Sequence, residues 1–245
     1  MAAQQVRVAV VVVLLANDYL GTIVIPVFNE ADTVVPCLQK LLTQVGEAWK
    51  LVVVDGGSSD ETAQLAKQFP VTLLSGEAGR ATQLNLGAQH SEGEIVLFLH
   101  VDTILPENFQ KYMGAFLQSP KRWGRFNVRL QPVSLGLNVI AWFMNQRSRY
   151  TGIATGDQAI FVRLHSFQAV GGFPQIPLME DVAISKLLKR VSKPYCIYEP
   201  VISSSRRWQN QGLIKTVVLM WWLRLAYFCG VSPNRLHRWY YPQQS

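Results

Sequence analysis

The chain has 245 residues, 49% of them hydrophobic and 16% charged, with a formal net charge of +7. That apolar share excludes a disordered chain, and the length suits one domain with a C-terminal appendage. The positive balance fits an anionic ligand or an acidic membrane surface; with no dense Lys/Arg block and no basic tail, nucleic acid is not an expected partner.

Residues 1–20 open with the apolar run VRVAVVVVLLA, too short to span a bilayer and without a convincing cleavage site after it. They read as a leader or an extra strand. GTIVIPVF (21–28) is a buried parallel-type strand, followed by helical spacing over 29–45, with Pro36 in the first two turns. KLVVVD (50–55) is a second strand, and SSDETAQLAKQF (58–69) a helix with Ser/Asp capping and an early Glu61. VTLL (71–74), a helix over 79–91 and a strand EIVLFLHV (94–101) complete the regular part. Strand–helix alternation at this spacing predicts right-handed βαβ units, hence an α/β fold: an open, mostly parallel sheet flanked by helices. Beyond residue 105 the pattern loosens. Helices are expected over 106–118, 135–149 and 180–190, and strands near 123–130, 158–163 and 195–200.

The C-terminal stretch LIKTVVLMWWLRLAYFCGVSP (213–233) is apolar and aromatic but carries Lys215 and Arg224. Both charges are costly in hydrocarbon, so a spanning helix is not expected. Two readings stay open: an interfacial helix with Trp221, Trp222 and Tyr227 at headgroup depth, or a helix packed on the protein's own core. Cys37, Cys196 and Cys229 are odd in number, far apart and form no CxxC pair, so packed, reduced thiols are expected.

Ligands of open α/β sheets bind beyond the carboxyl ends of the strands. Three strands end there in polar residues: Asn29-Glu30, Asp55 and Asp102. Each alone fits a solvated turn. Together they suit sugar hydroxyls, a base N–H, or a divalent cation carrying a substrate's phosphate charge, with Asp102 as candidate ligand for magnesium or manganese. PVFNEAD lacks the glycines of a dinucleotide fingerprint, and no GxxxxGK[ST] occurs. The glycines of DGGSSDET (55–62) fit either a plain tight turn or close approach to a flat ligand.

TIVIPVFNEADTV, LVVVDGGSSDET, GRATQLNLGAQHSEGEIVLFLHVDT, GDQAIFVRLHSFQAVGGFP and LMEDVAISKLLKR occur in an order that resembles family-2 glycosyltransferases of the GT-A type, over residues 21 to 200. FLHVDT, GGFPQIPLMED and SSSRRW resemble a small single-domain bacterial subgroup described beside radical-SAM and selenium-linked genes. The resemblance implies a GT-A domain over 21–210, with a nucleotide-sugar half (21–105) and an acceptor half (106–210), before the tail of 211–245. It implies that Pro26, Phe28 and Glu30 line the nucleotide pocket, that Asp55 holds the base, and that Arg80 lies near base or diphosphate. Asp102 aligns with the last acid of the Asp-x-Asp metal motif, and Asp181, beside Glu180, with the general base. His100 stands where the motif's first acid belongs, near the ribose. Ser204 replaces the Gln of Gln-x-x-Arg-Trp, which argues against a polymer synthase; Arg207 and Trp208 flank acceptor or diphosphate in this reading, and packing explains them otherwise. Asp157 is a candidate acceptor contact. The glycines of GGFP (171–174) fit a mobile lid or an ordinary turn.

The implied activity is metal-dependent, inverting transfer from a nucleotide-sugar donor to a hydroxyl acceptor, in the cytoplasm or on its membrane face through 213–232. Two alternatives are a sugar-phosphate nucleotidyltransferase, for which a Gly-rich GxGTR-like loop is lacking, and a non-catalytic membrane-surface module that binds nucleotides. Glu180 and Asp181 also fit plain capping of a helix start, worth about 0.3–1 kcal/mol each.

Overall fold

A computed structural model of the chain describes residues 19–205 and 212–241. The apolar leader and the Arg207–Trp208 pair lie outside the described residues.

In chain order the first half runs β1 (Gly21–Val27), α1 (Ala31–Val45), β2 (Trp49–Asp55), α2 (Thr62–Ala66), β3 (Thr72–Ser75), α3 (Arg80–Gln89) and β4 (Ile95–Phe98). The second half follows with β5 (Thr103–Ile104), α4 (Phe109–Leu117), β6 (Trp123–Gln131), α5 (Leu135–Thr151), β7 (Phe161–Arg163), α6 (Leu164–Ala169), α7 (Glu180–Val191) and β8 (Tyr195–Ser204). The tail forms α8 (Leu213–Phe228) and α9 (Pro233–Tyr240).

The described strands form one eight-stranded sheet in the order β3-β2-β1-β4-β7-β6-β8-β5. The first four run parallel. β7 is antiparallel to both β4 and β6, β6 is parallel to β8, and β8 antiparallel to β5. The sheet is therefore mixed, which corrects the expectation of a mostly parallel one beyond the first half. The apolar runs could not disclose this, because a strand buried on both faces reads the same in either direction.

Alternation along the parallel strands divides the core between two faces. Ile23, Ile25, Val53 and Leu97 pack with Val34, Leu38 and Leu41 of α1 and with Phe109 and Phe116 of α4. Val24, Val52, Val54, Val96 and Phe98 face Ala81, Leu84 and Ala88 of α3 and Ile184 and Leu188 of α7.

Two elements are shorter than their patterns. β4 ends at Phe98, where the Leu99 amide still donates to Val24 O of β1 and the Phe98 amide to Ile160 O just before β7. Leu99 and Val101 stay buried beyond the end of the strand. α2 starts only at Thr62; before it, Ser58, Ser59 and Asp60 bond to residues 29–31 of the neighbouring loop. The thiols are unpaired as expected, but Cys229 is exposed rather than packed.

The tail packs along one side on the protein's own core, with Tyr227 against that cluster and not at an outer surface. Leu223 and Ala226 of α8 pack with Met179 and Val182 at the start of α7, and Leu236 and Tyr240 of α9 join them. The opposite side of α8 leaves Val218, Trp221, Trp222, Leu225 and Phe228 exposed. No described helix is long and apolar enough to cross a membrane.

Candidate active site

The parallel pairing places Val27 opposite Asp55, and Val24 opposite Phe98, so β1, β2 and β4 end along one edge. The two loops that leave β1 and β2 there are tied together. Asn29, at φ 53°, donates its amide to Ser58 Oγ at 2.9 Å and accepts from the Ser59 amide through Oδ1 at 2.8 Å. The Glu30 amide donates to Thr62 Oγ1 at 2.7 Å, and the Ala31 amide to Asp60 Oδ2 at 3.1 Å. Asp60 thus serves the open start of α1 from across the gap with one oxygen, while the other accepts from the Thr62 amide at 3.0 Å at the start of α2, where the sequence places it. Hydrogen bonds from the Thr62 side chain, and from the amides of Thr62 and Ala31, hold the Asp60 carboxyl below its usual range.

Asp55 is 5% exposed, and its carboxylate accepts from the Ser58 amide and hydroxyl. Gly57, at φ 85°, lets the chain fold back over it. Behind the edge, the buried Gln83 donates Nε2 to Val27 O and Val54 O, both at 2.9 Å, satisfying carbonyls where the strands part. Pro26 is half-buried on β1, and Phe28 stands half-exposed at the rim.

A second cluster lies around the start of α7. Met179, buried at φ 70°, delivers Glu180 and Asp181; a left-handed conformation is costly for such a side chain and is met most often at functional sites. Asp181 accepts from the Gly156 amide at 3.1 Å and the Val182 amide at 2.7 Å. Burial nevertheless pushes its carboxyl up, against those two bonds and the Arg80 charge. Glu180 is raised to about 7, first by burial and then by the Asp181 charge, with Arg80 opposing. Across from them His100 Nδ1 lies 3.3 Å from Asp157 Oδ1. Gly156 carries no side chain for a reason of space: a Cβ there would run into His100 Nε2. Arg80, His100, Gly156, Glu180 and Asp181 line one hollow over Phe98 and Phe173. Capping and clustering coexist here, as both sequence readings allowed.

The turn that carries Asp157 is anchored from behind. Gln158 donates Nε2 to Ser148 Oγ at 2.9 Å, and Asn145 of α5 bonds both Val128 N and Val128 O on β6. Two residues along, burial lowers the proton affinity of the Arg147 guanidinium, with the charges of Asp181 and Asp157 opposing. Gln83 and Arg147 were not foreseen. Gln83 follows Arg80 by three residues on one helix face, and Arg147 sits in the polar run NQRSR that ends an apolar helix; both were visible as polar intruders.

Asp102 takes a different place. It lines a hollow with Thr33, Cys37 and Lys40, apart from Glu180 and Asp181, although only two residues from His100. Burial, then the charges of Asp102 and Glu30, push the Cys37 thiol up to about 12, which disfavours its thiolate. Among the described residues no group of three His, Cys, Asp or Glu side chains is placed to hold a metal. Among the described residues Asp102 accepts one side-chain hydrogen bond, from Thr103 Oγ1 at 3.5 Å, which leaves lone pairs open. Such a site fits a magnesium or manganese ion that brings phosphate oxygens with it, and does not fit an all-protein cage. The GGFP segment is an ordered turn: Asn85 binds both the amide and the carbonyl of Phe173, at 2.9 and 2.7 Å.

Comparison with known proteins agrees with this fold. The model of glycosyl transferase family 2 matches residues 22–164, more than half of the chain, and the chain belongs to that family. An uncharacterized glycosyltransferase of Haemophilus influenzae is 26% identical over 194 residues, covering 74% of this chain and 66% of its own length. The undecaprenyl-phosphate 4-deoxy-4-formamido-L-arabinose transferase of Pectobacterium carotovorum is 30% identical over 92 residues, 33% of this chain and 28% of that protein. This chain therefore spans less than two thirds of either relative. Among solved structures, glucosyl-3-phosphoglycerate synthase from Mycobacterium tuberculosis, in complex with Mn2+, UDP and phosphoglyceric acid, superposes with a TM-score of 0.60 at 16% identity, over 86% of this chain and 78% of that one. The Pyrobaculum calidifontis mannosyltransferase with GDP-Man and Mn2+ gives 0.55 at 23% identity, over 75% and 56%. At these identities what is shared is the fold.

Proposed function

We propose that the protein transfers a sugar from a nucleoside-diphosphate donor to a hydroxyl acceptor, with inversion at the anomeric carbon. The observation that carries this reading is the hollow shared by Arg80, His100, Glu180 and Asp181 at the carboxyl edge of the sheet. The nucleotide lies along the rim of the nucleotide-sugar half, 21–105, against Pro26, Phe28 and Glu30, with Asp55 accepting from the base. Its lone pairs beyond those given to Ser58 suffice for that bond. His100, fixed by Asp157, turns a ring nitrogen to the ribose in place of a carboxylate, and Arg80 faces the diphosphate.

Asp181 takes the acceptor's proton; the burial that raises its proton affinity makes it a better base. The acceptor oxygen forms a bond to the anomeric carbon as the bond to the diphosphate oxygen breaks on the opposite face. The nucleoside diphosphate leaves with that electron pair. A magnesium or manganese ion held by Asp102 and the diphosphate would neutralise the leaving charge. The acceptor half, 106–210, contributes Asp157, with Arg207 and Trp208 beyond the described residues.

The bare side of α8 supports peripheral contact with a membrane, and nucleotide sugars place the activity in the cytoplasm or at its membrane face. FLHVDT and SSSRRW support the small bacterial subgroup named above. Titration calorimetry with a panel of nucleoside diphosphates, with and without manganese, tests the reading. One nucleotide should bind in a manganese-dependent way, and Asp102→Ala should lose that dependence. No binding by any nucleotide removes the proposal.

A further inference from the structure

Asp157, the partner of His100, also lines a cavity of about 490 Å³ between α5 and α8. That volume lies within the span of small-molecule sites, about 300–1,000 Å³. Its walls are apolar, including Val139 and Phe143 of α5 and Met220 and Trp221 of α8. The charged side chains among its described lining are Arg147, Asp157 and Arg224.

Arg147 is the telling group. Its Nε and Nη2 are buried and have no hydrogen-bond partner among the described residues. A guanidinium fork left open against an apolar space matches a phosphate, which it binds through paired N–H bonds. Two arginines against one aspartate leave the cavity a net positive charge, complementary to an anionic head. The walls are open to solvent as well: Val139 and Phe143 on α5 and Trp221 on α8 are all more than half exposed. A ligand that is only polar would waste these walls, and one that is only apolar would leave Arg147 open.

We infer that the acceptor is a phosphate-bearing, single-chain amphiphile. Its phosphate lies on Arg147 and Arg224, its chain runs between α5 and α8, and its hydroxyl reaches Asp181 beside Asp157. This rests on the transfer reading above for the hydroxyl's role; the binding site stands on the cavity alone. The chemical step is unchanged, with the proton passing to Asp181.

The test is calorimetry on the full-length protein with decyl phosphate below its micelle concentration, with inorganic phosphate and with decanol, and with a nucleoside diphosphate titrated into the same preparations. One decyl phosphate should bind per chain, with inorganic phosphate and decanol each weaker by about tenfold or more. Arg147→Met should weaken decyl phosphate by about tenfold or more while leaving decanol unchanged. Val139→Glu, at a position 53% exposed and therefore harmless to folding, should abolish decyl phosphate binding by charging the apolar wall. Several equivalents per chain, or affinity indifferent to both variants, overturns the inference. Nucleotide binding without decyl phosphate binding overturns the amphiphile site and spares the transferase. Decyl phosphate binding without nucleotide binding upholds the site and removes the transferase.

Discussion

Replacing Glu180 by Gln keeps the shape of a side chain that is 7% exposed and deletes its charge. In the folded chain its carboxyl is raised from an ordinary 4.5 to about 7 by burial and by Asp181, against Arg80. Below pH 4.5 it is protonated whether the chain is folded or not. Between 4.5 and about 7 the folded chain keeps a proton that the unfolded chain has released, so stability falls as pH rises, and above about 7 the loss is complete. At about 1.36 kcal/mol per pH unit, the full loss is about 3 kcal/mol. Asp181, raised for the same first reason, steepens the slope in the same direction. Urea unfolding of wild type and Glu180→Gln across this range reads the effect. The two should be equally stable at the acid end, and the variant should be more stable by up to about 3 kcal/mol near about pH 8. Parallel pH profiles for the two proteins would refute the account of a charge held in the folded core.

Asp181→Asn should cut sugar transfer by about 10²–10⁴-fold while leaving nucleotide affinity within about twofold, as turnover and calorimetry on one preparation will show; normal turnover dismisses Asp181 as the base. Thr62→Val removes the acceptor of the Glu30 amide and the hydroxyl that Asp60 accepts from, at a fully buried position. It should cost about 1–3 kcal/mol in urea unfolding and weaken nucleotide binding; an unchanged midpoint means the loops do not depend on each other. Trp222→Ser with Phe228→Ser, on the exposed side of α8, should lower co-sedimentation with anionic lipid vesicles by about tenfold, and equal sedimentation eliminates the membrane contact.

The parallel half of the fold was legible because its strands are β-branched runs alternating with helical spacing, and each polar strand end announces an edge. The ends of β1, β2 and β4 did fall on one rim, with Asn29-Glu30 and Asp55 beyond the first two, while Asp102, expected to share it, lines a hollow beside α1. Strand direction in the second half was not legible, since it follows from connections rather than side chains. Nor was the division of the acids into two hollows. Asp102 and His100 sit two residues apart, and only the path after Phe98 decides that one faces Cys37 and the other Asp181. Gln83 and Arg147 escaped because their partners, Val27 O, Val54 O and the charges of Asp157 and Asp181, are distant in the chain. α6 and α9 were too short to outweigh local turn residues.

The ties between residues 29–31 and 58–62 have an engineering consequence. Each loop supplies acceptors for amides that the other leaves bare, so the two behave as a matched pair. A chimera that imports the first loop from a relative, without its second, inherits donors with nothing to receive them. Regrafting this edge of the sheet will therefore require transplanting both loops together, and a screen that varies one at a time will mostly sample broken folds.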